Sequence, residues 1–279
     1  RNRKNRTKLS KVRTLLPRLL DEFKLHEHSP GTSDPGDSWV EMMSRTIFQS
    51  TPEQAAEAVA AALADGVSPE IVGEAISLST NQLVLRDAGR TSDQARTGKP
   101  EGSVHGDSIG VHASDSTAAW RGIARVSNRR NAAASLILAG YQAARDRVGR
   151  GGNFLEWKPR PYDEQVATIG TKDPKRLLGM LNGAIRENDQ SKACALVHHY
   201  GSLGHEPRDV TDTLLRFATS EDGALHAEKY YLTATSDLAT TRPAFRWRHL
   251  VGLARVTASE YGHSAPGYKE ACELLGVEV

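Results

Sequence analysis

Thr51-Pro52-Glu53-Gln54, followed by Ser68-Pro69-Glu70-Ile71, decides the fold class of this chain. In each, a hydroxyl side chain is placed to cap a helix, and proline takes the first helical position, where its missing N–H is one of the unpaired donors anyway. The first signal opens onto the alanine-rich run 55–64, which stops at Gly66. The second opens onto Ile71, Val72, Ala75, Ile76 and Leu78, a helical apolar pattern that continues towards Leu85.

Towards the N-terminus, Val12, Leu15, Leu16, Leu19, Leu20 and Phe23 give an amphipathic helix within 11–28 that Pro30-Gly31 ends. Pro17 falls inside that pattern, so a kink or a start near Leu16 is expected. Residues 29–37, rich in Pro, Gly, Ser and Asp, read as a loop. The basic run Arg1, Arg3, Lys4, Arg6 and Lys8 reads as a solvated tail. It lacks the interleaved aromatics that stack bases, so nucleic-acid binding gains no support.

Towards the C-terminus, 86–103 loses periodicity and reads as a long connection. Helical patterns return through Ala118, Ala119, Ile123 and Val126, and again over 131–148, closed by Gly149 to Gly152. Trp157, Pro159 and Pro161 mark an extended strap over 153–163. Beyond it Asp173-Pro174 and Glu206-Pro207 repeat the cap-and-proline signal, and helical stretches follow over 191–203, 224–238, 242–261 and 268–275. The expected fold is all-α, a multi-helix bundle of about ten to twelve helices. It divides into a tail and first helix (1–36), a first helical half (37–152) carrying the long loop 86–103, and a strap with a second helical half (153–279).

The halves share a grammar. Ser68-Pro69-Glu70-Ile71-Val72 resembles Glu206-Pro207-Arg208-Asp209-Val210, Val111-His112-Ala113 resembles Leu225-His226-Ala227, and Ala139-Gly140 falls near Val251-Gly252, in the same order. An internal repeat of a helical unit accounts for this, and makes His112 and His226 equivalent helix starts. A pseudo-twofold relation brings them together in the core, with Gly140 and Gly252 letting the following helices pack closely.

Composition narrows the classes. The 279 residues are 38% hydrophobic and 25% charged, with a net charge of +2, which fits a globular chain without a strong field for polyanions. No run of about 18 apolar residues offers a membrane span. Two cysteines, Cys194 and Cys272, are too few for a disulfide framework, so a cytoplasmic setting is the expectation.

The chemistry concentrates in Ser103-Val104-His105-Gly106-Asp107-Ser108-Ile109-Gly110-Val111-His112-Ala113-Ser114-Asp115. Imidazoles and carboxylates at this density suit a first-row transition metal or an acid–base site, with Gly106 and Gly110 bending the backbone so that they converge. His112 and Asp115 share a helix face at i to i+3. The expected ligand set is His105, Asp107, His112 and His226, for an iron or zinc ion. Haem also stays among the candidate cofactors, because an axial histidine needs no linear motif.

His-Glu-x-x-His, Glu-x-x-His, Cys-x-x-Cys and Gly-x-Ser-x-Gly are all missing, as are a phosphate loop and an alternating strand–helix pattern. Most of the ten histidines read as helix-surface or satisfied core residues, His26, His28 and His263 as peripheral, and both cysteines as buried thiols. Arg242 and Arg246 share a face at i to i+4 and are candidates for clamping a carboxylate or phosphate, with Glu221, Asp222 and Glu228 as alternative ion-pair partners. Two functions remain open. One is a helical enzyme with a His/Asp-rich metal site acting on a small molecule, with redox chemistry preferred over hydrolysis because hydrolase motifs are missing. The other is a helical scaffold or interaction domain of a larger protein, docking a protein partner or further domains.

Overall fold

A computed structural model describes residues 3–27, 29–95, 97, 100–104, 108–221 and 226–277, with the backbone alone described over 3–10. Among these residues there are thirteen α-helices and no β-strand, so the fold is an all-α multi-helix bundle. Two isolated bridges, Ser33 with Val67 and Glu221 with Ser264, tie loops together.

The helices are α1 (Arg3–Glu22), α2 (Asp37–Gln49), α3 (Pro52–Ala64), α4 (Pro69–Arg86), α5 (Ile109–Val126), α6 (Arg129–Arg150), α7 (Asp163–Ala167), α8 (Pro174–Arg186), α9 (Gln190–Ser202), α10 (Pro207–Ser220), α11 (His226–Thr240), α12 (Trp247–Glu260) and α13 (Tyr268–Leu275). Two of the cap signals act as read, while Glu206 precedes α10 without a side-chain cap bond. Thr51 and Gln54 close a reciprocal capping box at α3, and Asp173 accepts the Arg176 N–H at 2.7 Å ahead of Pro174 in α8. The stretch read as a basic tail is instead helical from Arg3. α1 runs through Pro17 without stopping there, and Pro17 faces solvent, where water can satisfy the carbonyl that a proline leaves without its donor.

The chain forms two compact units. The first gathers 1–80 and 116–152, the second 81–115 and 153–279. In the first unit α3 packs most extensively on α6. Gly140 makes this possible, since a Cβ there would lie 2.7 Å from Val59 Cγ2. The buried side chains of this unit include Leu19, Val40, Ile47, Val59, Leu136 and Ile137.

In the second unit α9 and α12 form the most extensive pair, with α8, α10 and α11 around them. Their core gathers Leu177, Leu181, Leu196, Tyr200, Leu214, Leu250 and Leu253 with Val84, Val104 and Val111. The loop between α4 and α5 is closed at its base: Arg90 N–H donates to Ser103 O at 3.1 Å, and Gly102 N–H to Arg90 O at 2.8 Å. Gly89 and Gly102 supply the positive φ values of 84° and 78° that this closure requires.

Gly110 does not bend the chain. It sits in the first turn of α5, where an added Cβ would lie 2.7 Å from Val84 N and 2.9 Å from Leu83 C, so it permits backbone-to-backbone contact with α4. Neither atom can rotate away as a side-chain tip would. Gly110→Ala is therefore expected to cost about 1–3 kcal/mol of stability, read as a lower urea midpoint. An unchanged midpoint would show that α4 and α5 part without cost.

Candidate functional site

The site is built on the first turns of α5 and α11, both in the second unit at this point. Ser108 Oγ accepts the Val111 N–H at 3.3 Å and so satisfies one of the free donors where α5 begins, with His112 on the following turn. His226 is the first residue of α11. The two imidazoles meet edge to face, with ring centroids 4.9 Å apart and planes at 85°. Both side chains are part-buried.

Asp115, one turn beyond His112, reaches across to α11. Its carboxylate accepts the Thr233 hydroxyl at 2.7 Å and lies 3.2 Å from Lys229 Nζ. It is thus engaged by α11 residues that sequence reasoning did not single out. A charge-assisted bond of this length is among the stronger polar contacts a side chain makes.

His226, Tyr230, Thr233 and Asp237 follow at intervals of four, three and four, which places them along one face of α11. Tyr230 is only 2% exposed, and its hydroxyl lies 3.0 Å from where a Cβ on Gly252 would stand, with Asn81 Nδ2 at 2.8 Å from the same point. Gly252 therefore leaves room for two polar groups. Burial, then the charges of Asp115 and Asp237, push the Tyr230 phenol far above its ordinary value, so it stays protonated.

Further along, Asp237 Oδ2 lies 3.8 Å from His249 Nδ1, and His249 Nε2 pairs with Thr241 Oγ1 at 3.1 Å. All three side chains are buried. This Asp–His–Thr series has the order of a nucleophile chain, but enclosure keeps a substrate from the hydroxyl, and it acts as an internal polar brace.

The other histidines fall elsewhere. His26, His198 and His263 are exposed, His199 bonds Thr171 O and His205 bonds Lys172 O, each at 3.1 Å. His28 lies outside the described residues, as do His105, Gly106 and Asp107, two of which complete the expected ligand set. Among the described residues no group of three or more His, Cys, Asp or Glu side chains is disposed to hold a metal ion. Cys194 is buried, donates to Val251 O at 3.5 Å, and is pushed up to about 11 by burial, so it is no nucleophile.

Arg242 and Arg246 do not share a helix. They flank the turn before α12, closed by Arg246 N–H to Arg242 O at 3.1 Å, and Arg246 is the cap residue of α12. Glu221, the expected partner, accepts the Gly262 and His263 N–H groups at 2.9 and 2.8 Å. Asp222 lies outside the described residues.

Fold and site together define an all-α protein with a histidine pair and a polar helix face inside its second unit. No protein family, curated protein or solved structure matches the chain. Among the described residues no helix is long and apolar enough to cross a membrane.

Proposed function

We propose that this chain is a helical, metal-dependent enzyme whose site is founded on His112 and His226, with His105 and Asp107 brought to it by the α4–α5 loop. The observation that carries the reading is the edge-to-face pair. Two imidazoles bound to one ion at roughly 2.0–2.1 Å, each centroid about 1.1 Å beyond its nitrogen, stand about 4.5–5.2 Å apart for bond angles near tetrahedral or square. The 4.9 Å separation falls in that range.

Redox chemistry on a small molecule is preferred over hydrolysis. The Cys194 thiol and the Thr241 hydroxyl are both enclosed, so neither offers a nucleophile for hydrolysis. Iron suits this reading better than zinc, which has no redox chemistry. A haem held by His112 or His226 belongs to the same class. Arg242 and Arg246, on the turn leaving α11, are proposed to hold an anionic group of the substrate or cofactor. Internal duplication gives the pair its origin, and the matching prominence of α3 with α6 and of α9 with α12 supports it.

A scaffold or interaction domain is the second reading, favoured by Leu274 and Leu275 of α13, which are 82% and 76% exposed. Loading the purified chain with Fe(II), Co(II) or Zn(II) in separate samples, followed by dialysis and elemental analysis, distinguishes the two. About one tightly held ion per chain is expected. Retention below about one-tenth of an equivalent for every metal would transfer the assignment to the scaffold.

A further inference from the structure

The first unit holds two adjoining cavities, independent of the histidine pair. One, of about 230 Å³, lies among the turn after α1, the loop at 29–31 and the facing ends of α3 and α6; the other, of about 240 Å³, continues past α4 towards the end of α5. They share Pro30, Pro69, Arg129 and Ala132, so they form one cleft, of the size that takes a small ligand.

Its lining is apolar with an unbalanced rim. Phe23, Leu63, Ala133 and Leu136 supply hydrocarbon, while Lys24, Arg121, Arg125 and Arg129 stand against the single carboxylate of Glu70. That carboxylate is already engaged. Arg125 holds it through two bonds of 2.9 and 2.7 Å, and this pairing draws its pKa below the usual carboxylate range. Arg121 is occupied as well, donating to Ser77 Oγ at 2.8 Å. Lys24 and Arg129 are exposed and make no ion pair among the described residues.

An apolar cleft with two uncommitted cations at its edge complements an amphiphile carrying one negative head. We propose that the cleft binds a medium-chain monocarboxylate, with its head at Arg129 and Lys24 and its alkyl chain along Phe23, Leu63 and Ala133. A polyanion would leave the hydrocarbon lining unused. A cationic amphiphile would meet the rim with the wrong sign.

Titration calorimetry of the full chain with hexanoate, octanoate and decanoate tests this. Affinity is expected to rise about fourfold per added methylene until the cleft is filled, with one site per chain. Arg129→Glu, an exposed change that places a carboxylate in the first turn of α6, should weaken decanoate at least tenfold without lowering the melting temperature. Ala132→Trp should occlude the cleft, and decyltrimethylammonium should not bind. Affinity indifferent to chain length, undiminished in Arg129→Glu, or no saturable decanoate binding below its self-association concentration would overturn the proposal.

Discussion

Arg255→Ala is expected to lower the unfolding free energy by about 3–5 kcal/mol, enough to unfold a marginal domain. Arg255 is fully buried. Its guanidinium donates to Val84 O and Asp87 O, and its Nε to Gln190 Oε1 at 3.3 Å. Those carbonyls belong to the end of α4, where the last turn has no intrahelical donors and the helix dipole presents negative charge. Burial, then the nearby charge of Arg160, pull the guanidinium down to about 9, which leaves it charged at neutral pH.

Truncation removes the Arg255 donor from the buried Val84 O, leaves Asp87 O with only a 3.4 Å bond from Arg160 Nη1, at a cost of about 1–3 kcal/mol for each acceptor left short, and opens a cavity as well. Arg255→Met separates these effects, because it keeps most of the volume and loses the donors. Arg255→Lys keeps the charge but not the planar fork, and should fall between wild type and Met. Urea denaturation followed by circular dichroism reads all three. Full stability in the Met variant would reduce Arg255 to a filler of space.

None of this was legible in the sequence, because an arginine within a helical pattern reads as part of a solvated face. The same holds for Tyr230, Thr233 and Asp237. Polar residues at helical spacing announce water until α5 and α12 are known to cover them. Legibility was highest where chemistry is local: Thr51-Pro52, Asp173-Pro174 and Glu206-Pro207 each mark a helix start that α3, α8 and α10 realise. α2 lacked such a signal. Its cap residue is Gly36, at φ 88° with no side-chain bond, although Val40, Met43, Ile47 and Phe48 carry the helical period and are buried. Of the site, the nearness of His112 and His226 was legible from the shared His-Ala step in the first turn of each helix, although His112 is the fourth residue of α5 and His226 the first of α11. The role of Asp115 was not, because only the approach of α11 reveals Thr233 and Lys229 as its partners.

His226→Ala should therefore weaken metal binding at least about a hundredfold, because losing even an outer-shell partner of a ligand costs about 10–100-fold. His112→Ala should match it, and the double variant, left with only His105 and Asp107 of the proposed ligands, should lose more than either. Competition against a chromophoric chelator measures the affinities, and the ligand-field bands of the Co(II)-loaded chain report whether nitrogen donors remain. His226→Cys keeps a soft ligand at the same helix start and should restore much of the binding with a sulfur-to-metal charge-transfer band. His263→Ala, at an exposed position whose backbone N–H donates to Glu221, serves as the matched histidine deletion and should bind as the wild type does. The buried His249 offers a second contrast, because losing its bond to Thr241 should lower stability while leaving the metal in place. Should His226→Ala and His112→Ala both hold the ion as tightly as the parent, the 4.9 Å approach of the rings would be packing between two helix starts, and the ion would belong to another part of the chain.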